Sequence, residues 1–441
     1  MQVFTLHEYD VLVPSSSPGP VPGGAIGVPA STYAWLESQA LQLSDGAAAP
    51  WVRRCRQGVQ LTSYAGIIAA PDGVQLEVLP KIGKALDAGP DGARSLLVDM
   101  LCCLRRFKHL HPGSAMLAAA RMPLLEVFIA AFLRTVAAVA ATGLRGNYSQ
   151  REDDLPALRG RLLVAQQLRR NLVRADRFHT AHDEFTVDRP ENRLIHTALR
   201  QVLRVAQLGD SQRLARELAF VFADVPTSLN PMQDFQRVQL DRNMGTYADA
   251  LAWARMIIQS APPTSVSGLQ QAPSLLFPMA RLFEAYVAKH VGRQLPAPLT
   301  VRTQVGRHHL VHHDGERWFQ LKPDLVVSHG GRDRMVLDTK WKLLDAKQND
   351  GTNKYGLSQS DFYQLHTYGQ SYLGGSGDVA LIYPRTDTLT KPLPVFDFPG
   401  SPGLRLWVLP FCLKQRKLLL PEEAQAPPAA IRPISRTFWR L

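Results

Sequence analysis

The stretch LKPDLVVSHGGRDRMVLDTKWK, Leu321 to Lys342, decides how the chain is read. Two apolar runs flank the turn-forming segment SHGGRDR, so they are expected to pair as a β-hairpin. Side chains alternate faces along a strand, which sends Asp338 and Lys340 to one side and Thr339 to the other. Pairing brings Asp324, on the first strand, to the same end of the hairpin. Two carboxylates and an ammonium then converge where apolar residues are the rule. An acid on an apolar strand needs a partner, and a divalent cation is one of the few good ones.

That set suits metal-assisted phosphodiester hydrolysis. Hard oxygen donors hold Mg²⁺, which polarises a phosphate and lowers the pKa of a bound water. Lys340 would orient that water or stabilise charge in the transition state. An isolated Asp-x-Lys is a weak signal and reads equally as an ion pair on a strand surface. Three features accompany it. Pro323 precedes Asp324, Glu284 lies upstream in the helical LFEAYV, and Gln364 and Tyr368 lie downstream in the helical QLHTY.

Composition sets the wider frame. The chain has 441 residues, enough for two or three domains, and its 45% hydrophobic and 20% charged content is that of a globular protein. A formal net charge of +12 suits a polyanionic partner such as nucleic acid or an anionic membrane surface, although an Arg-rich solvated surface gives the same number. Cys55, Cys102, Cys103 and Cys412 form no CxxC, which argues against a zinc site or a disulfide framework and fits a reducing cytoplasm. MQVFTLHEYD is not a signal peptide. The apolar VFIAAFLRTVAAVAATGL is Ala-rich, is interrupted by Arg134, and reads as a buried helix rather than a membrane span. No GxxxxGK[ST] occurs, so any nucleotide-driven motor would be another chain.

Three regions are expected. Residues 1–90 are strand-rich: YAGIIAAPDGVQLEVLPK reads as a hairpin turning at Pro71-Asp72-Gly73, with Val74, Leu76 and Val78 alternating against Gln75 and Glu77. PSSSPGPVPGG is a loop. Residues 91–265 carry apolar residues at helical spacing, in SLLVDMLCCLRRF, PLLEVFIAAFLRTVAAVAA, RGRLLVAQQLRRNL, ENRLIHTALRQVLRVAQL and YADALAWARMIIQ. SAPPTSVSGLQQAPS is a plausible linker. Residues 266–441 mix helices with strands, the pattern of an α/β domain. Arg145 to Arg177 holds eight arginines against four acids, which reads as a DNA- or partner-facing surface or as a solvated face. His308, His309, His312 and His313 suggest a metal cluster, but adjacent strand residues face opposite sides, so a polar strand is the better reading.

Pro323-Asp324 and Asp338-Thr339-Lys340 resemble the signature of the PD-(D/E)xK nuclease superfamily, with Asp where many members carry Glu. Glu284 and the Gln364/Tyr368 pair are similar to its RecB-type branch. The resemblance implies a restriction-endonuclease-like α/β domain in which Glu284, Asp324 and Asp338 bind Mg²⁺, with Mn²⁺ able to substitute. It implies that Lys340 assists the water and that Gln364 and Tyr368 line the DNA site. Upstream, the LPK block (Leu79 to Lys81), Leu158-Arg159-Gly160 and Glu191-Asn192-Arg193 join LDTKWK in resembling the McrC-like family, over roughly residues 60–370. Those relatives are nuclease subunits of modification-dependent restriction systems, so the resemblance implies a DNA endonuclease. It further implies that the N-terminal region docks on an McrB-like AAA+ GTPase and stimulates it. Two alternatives remain: an adaptor of that motor with a vestigial nuclease fold, and a stand-alone RecB-like nuclease. The long upstream regions disfavour the latter, and retention of Asp324, Asp338 and Lys340 disfavours the former.

Overall fold

The computed structural model describes residues 2–16, 19–21, 24–44, 50–85, 89–104, 122–174, 176–260 and 275–421. The expected linker falls on residues 261–274, outside that set, as does part of PSSSPGPVPGG. The chain divides into two compact units, one made of residues 1–122 and 276–441 and the other of 123–275.

In the first unit, strand Val3–His7 runs parallel to Gln75–Leu79, which pairs antiparallel with Tyr64–Ala69. This is the expected hairpin, and Asp72 secures its turn by accepting from the Val74 amide at 3.2 Å. The expected outward-facing residues are not outward. Gln75 and Glu77 are each 1% exposed, because the strand is central in its sheet and helix Gly89–Leu101 covers its second face. From that helix Arg94 donates to both Glu77 oxygens at 2.7 and 2.8 Å, and Thr5 adds a third donor. A second sheet orders Gly19–Pro20, Ile26–Val28, Val11–Pro14, Gly58–Leu61 and Val52–Cys55. Helix Ala30–Ser44, unforeseen in a region read as strands, closes its core through Leu36 and Ala40 against Leu12, Val28 and Val59.

The rest of this unit is a mixed seven-stranded sheet. Its path runs Thr300–Thr303, Leu325–His329, Arg332–Thr339, Gly377–Pro384, Ser401–Cys412 and Phe396–Phe398, with Lys417–Leu418 beside Ser401–Cys412. Leu325–His329 and Arg332–Thr339 form the expected antiparallel hairpin. Gly330 and Gly331 turn it at φ of +56° and +79°, the tight reversal that demands two left-handed residues. Arg332–Thr339 then pairs in parallel with Gly377–Pro384, which does the same with Ser401–Cys412. Helix Gln359–Leu373 buries Leu365, Tyr368 and Tyr372 against Val326, Val336 and Leu381 on one face. Helix Met279–Gln294 meets the other face, where the Phe283 and Tyr286 rings lie 6.3 and 5.9 Å from Phe411. The helix that carries LFEAYV is preceded by a short strand, Leu275–Pro278.

In the second unit the helices Leu124–Ala141, Pro190–Val205 and Gly245–Ser260 follow the expected periodicity, and Gly209–Val221 is a further helix among segments not singled out in the sequence. The region is not all helix, however. Asn147–Leu155 and Phe178–Thr186 pair antiparallel over nine residues each, and Arg161–Leu162 joins them. Their polar sequences, NYSQREDDL and FHTAHDEFT, hide the strand period. RGRLLVAQQLRRNL yields only the short helix Val164–Arg170. Gly160 is required here: its φ is +72°, and a Cβ would sit 2.3 Å from the Ala181 carbonyl oxygen. Asn192, fully buried, donates to the Arg145 and Val187 carbonyls and accepts from the Tyr247 hydroxyl. Leu124–Ala141 is long and apolar enough to cross a membrane, yet 67% of it is buried within the fold, as a core helix would be.

Candidate active site

The hairpin register sets the geometry. Leu325 pairs with Leu337, so Asp324 falls at the strand end beside Asp338 and Thr339. Asp324 Oδ2 accepts from the Thr339 amide at 2.8 Å and the Thr339 hydroxyl at 2.6 Å. The strand stops there, and the Lys340 amide donates to the Ile382 carbonyl at 2.9 Å. Asp338 shares a face with Val336, so its carboxylate points toward helix Gln359–Leu373.

Lys340 reaches back along that face. Its Nζ lies 2.7 Å from Asp338 Oδ2 and 3.5 Å from Asp361 Oδ1, and it donates to Gln364 Oε1 at 3.0 Å. Gln364 in turn donates to the Tyr368 hydroxyl at 2.9 Å. Asp338, Lys340, Gln364 and Tyr368 therefore form one connected chain. Tyr368 is only 5% exposed and packs in the core, with its hydroxyl against Gln364.

Asp338 is the anomalous member. It is 2% exposed, and although Lys340 stands at ion-pair distance, Asp338 Oδ2 receives no aligned hydrogen bond. Burial, reinforced by the Asp324 charge, pushes its carboxyl up to about 7 against the opposing pull of Lys340. Burial would lower Lys340, but attraction by Asp338, Asp361 and Asp324 overrides it and holds the amine above its usual range.

Glu284 lies on helix Met279–Gln294, next to Phe283. Gln304 links it to the hairpin: its side-chain amide donates to Glu284 Oε1 and, at 3.5 Å, faces Asp324 Oδ1. Burial and the Asp324 charge raise the Glu284 carboxyl, with Gln304 opposing. The three acids thus interact electrostatically as a row. Even so, among the described residues no three His, Cys, Asp or Glu side chains converge as a metal-binding group. The donor set fits a divalent cation through two carboxylates and water: hard oxygens, excess negative charge, and a buried Asp338 oxygen whose one neighbouring cation is Lys340.

Sequence reasoning missed Gln304 and Asp361. Gln304 sits at a strand break with φ of +51°, which nothing in its neighbours announces. Asp361 occupies the first turn of its helix, where an acid reads simply as a favourable helix start. The four histidines lie on a separate two-stranded ribbon, His308–His313 with Glu316–Leu321. There His308 meets the Tyr372 ring edge-on and His313 lies beside Trp318.

Comparison with known proteins follows the same lines. No curated protein matches the chain in sequence. A chain in the refined half-complex from a tetradecameric assembly of Thermococcus gammatolerans McrB AAA+ hexamers with bound McrC shares the fold. Its TM-score is 0.68 at 19% identity, and the match covers 100% of this chain and 99% of that one. A chain of the cryo-EM structure of the Thermococcus gammatolerans McrBC complex aligns at 20% identity and a TM-score of 0.49, over 66% of this chain and 88% of that one. The model of the family described as McrBC 5-methylcytosine restriction system component matches residues 59–384, a span that holds the hairpin, Glu284, Gln364 and Tyr368. The chain belongs to that family, the McrBC 5-methylcytosine restriction system components.

Proposed function

We propose that this protein is a Mg²⁺-dependent DNA endonuclease subunit of the PD-(D/E)xK type, working in the cytoplasm with an McrB-like AAA+ GTPase. The observation that carries the reading is Asp338: a buried carboxylate beside a second acid, kept without an aligned donor and paired only with Lys340. Asp338 Oδ2 and Asp324 Oδ1 would hold the cation, with Glu284 contributing through water. Bound Mg²⁺ supplies polarisation of the scissile phosphate and a water of lowered pKa. Lys340 keeps its proton, orients the attacking water and stabilises negative charge that develops on the phosphate. Gln364 fixes Lys340, and Tyr368 fixes Gln364. The partner is inferred from the family and from the fold shared with a chain of the McrB–McrC assembly.

The test is cleavage of DNA carrying 5-methylcytosine by the chain with its AAA+ partner, GTP and Mg²⁺. Cleavage abolished by chelation and restored by Mg²⁺ or Mn²⁺ is the expected result. A second reading, an activator of the motor that does not cut, is favoured by the lack of a three-ligand group among the described residues. It predicts stimulated GTP turnover without metal-dependent cleavage.

A further inference from the structure

The residue after Lys340 is held from far away in the sequence. Trp341 Nε1 donates to both oxygens of Glu8, each at 3.0 Å, across 333 residues. Glu8 is 3% exposed, and its carboxylate also accepts from the Lys81 amide at 2.8 Å and the Ser63 hydroxyl at 3.2 Å. The Lys81 ammonium closes the loop by donating to the Trp341 carbonyl at 3.0 Å, while lying over the Tyr9 ring at 4.7 Å. The Trp341 ring packs 5.3 Å from Phe283, the neighbour of Glu284. Both the side chain and the backbone of Trp341 are therefore pinned by the N-terminal strands.

We infer that Glu8 and Lys81 are positioning residues for Lys340, acting through Trp341; this rests on the nuclease reading of the site. The strand hydrogen bonding ends at Lys340, whose amide bond to Ile382 is the last one into the sheet. Beyond that point the Lys342 amide closes a tight turn on the Lys340 carbonyl at 2.9 Å, so whatever holds the Trp341 peptide also sets the point from which the Lys340 side chain reaches Asp338 and Gln364. A core tryptophan would need only packing. Here its indole N–H meets a buried carboxylate that burial raises and Lys81 counters, an arrangement costly to bury unless its geometry is needed. The site is thus assembled from two sequence-distant parts of one compact unit, and the cutting lysine is in register only while the N-terminal sheet is docked.

The experiment uses the full chain. Single-turnover cleavage with the AAA+ partner, the protein varied in excess over DNA at saturating Mg²⁺, is compared among wild type, Glu8→Gln, Trp341→Phe, and both in a Lys340→Gln background. Lysine-selective ¹³Cε NMR of the chain alone reads the Lys340 side chain without cleavage. Glu8→Gln and Trp341→Phe are each expected to slow the maximal single-turnover rate about tenfold with the half-saturating protein concentration unchanged, because a small misplacement of a reacting group is enough. In the Lys340→Gln background neither should lower the residual rate further. The Lys340 resonance should move in both variants, and that of exposed Lys391 should not. Lys81→Met replaces Glu8→Gln if the latter does not fold. An unmoved Lys340 resonance in folded variants overturns the inference, as does an equal loss in the Lys340→Gln background. A wild type that fails to cut, with a Lys340 resonance that still responds to Glu8, overturns the nuclease reading and leaves the positioning role standing.

Discussion

Glu77 and Asp338 are two buried acids on central strands of neighbouring sheets, exposed by 1% and 2% respectively. Glu77 is saturated: Arg94 grips both oxygens and Thr5 adds a third donor. Asp338 has an ion-pair neighbour but an oxygen without an aligned donor, and a second acid behind it. A buried charge that is fully hydrogen-bonded is part of the architecture. One left short of partners, at a cost to the fold, is kept for something the folded chain does not itself supply.

The sharpest way to break this contrast is Asp338→Ala, which is expected to lower DNA cleavage at least about a hundredfold while the fold and partner binding persist. Residual cleavage above about a tenth of wild type would remove Asp338 from the site. Glu77→Ala should do the reverse. It leaves the largely buried Arg94 with Asp91 alone as its counter-charge, at 2.6 Å, and is expected to cost about 2–3 kcal/mol of stability in urea denaturation. A stability loss below about 1 kcal/mol there would show that Glu77 is not structural.

Proton competition sharpens the contrast further. With its carboxyl pushed up to about 7, Asp338 holds a proton below that pH, which the proposed metal would have to displace. Calorimetric Mg²⁺ affinity is therefore expected to be about tenfold weaker at pH 6 than at pH 8, one proton being exchanged. A pH-independent affinity would place the cation elsewhere. The smallest effect belongs to Glu284→Gln, expected to slow cleavage only several-fold, since Glu284 is held by Gln304 and in the proposed site would reach the ion only through water. A loss matching that of Asp338→Ala would make Glu284 a direct ligand.

Much of the site geometry was legible in the sequence because it is local. The hairpin follows from two apolar runs and a Gly-Gly turn, and the two-residue period places Asp338 and Lys340 together. The downstream helix was legible from its period, but the hydrogen bond from Lys340 to Gln364 on it was not, because it depends on how the helix packs on the sheet. What could not be read depends on tertiary partners. Glu77 looked like the polar face of a half-exposed strand, because nothing local reveals that Gly89–Leu101 covers it. Glu8 and Lys81 carried no chemical signal, since their partner lies some 260 to 333 positions away. The strands of 147–186 were hidden because they are largely polar on both faces, and the period of two shows only when one face is apolar.

The central claim is that the buried Asp338, with Lys340 as its counter-charge and its carboxyl raised by burial and Asp324, binds a divalent cation, and thermal unfolding with and without Mg²⁺ tests it most directly. Without metal, an acid raised in the folded state binds its proton more tightly folded than unfolded, so stability is lost as pH rises from about 4 through about 7. At pH 8 the metal-free wild type should therefore melt below Asp338→Asn, which has no charge to bury. Mg²⁺ should raise the Tm of the wild type and leave that of Asp338→Asn unchanged. A wild type that is more stable than Asp338→Asn without metal, and indifferent to Mg²⁺, would contradict the account.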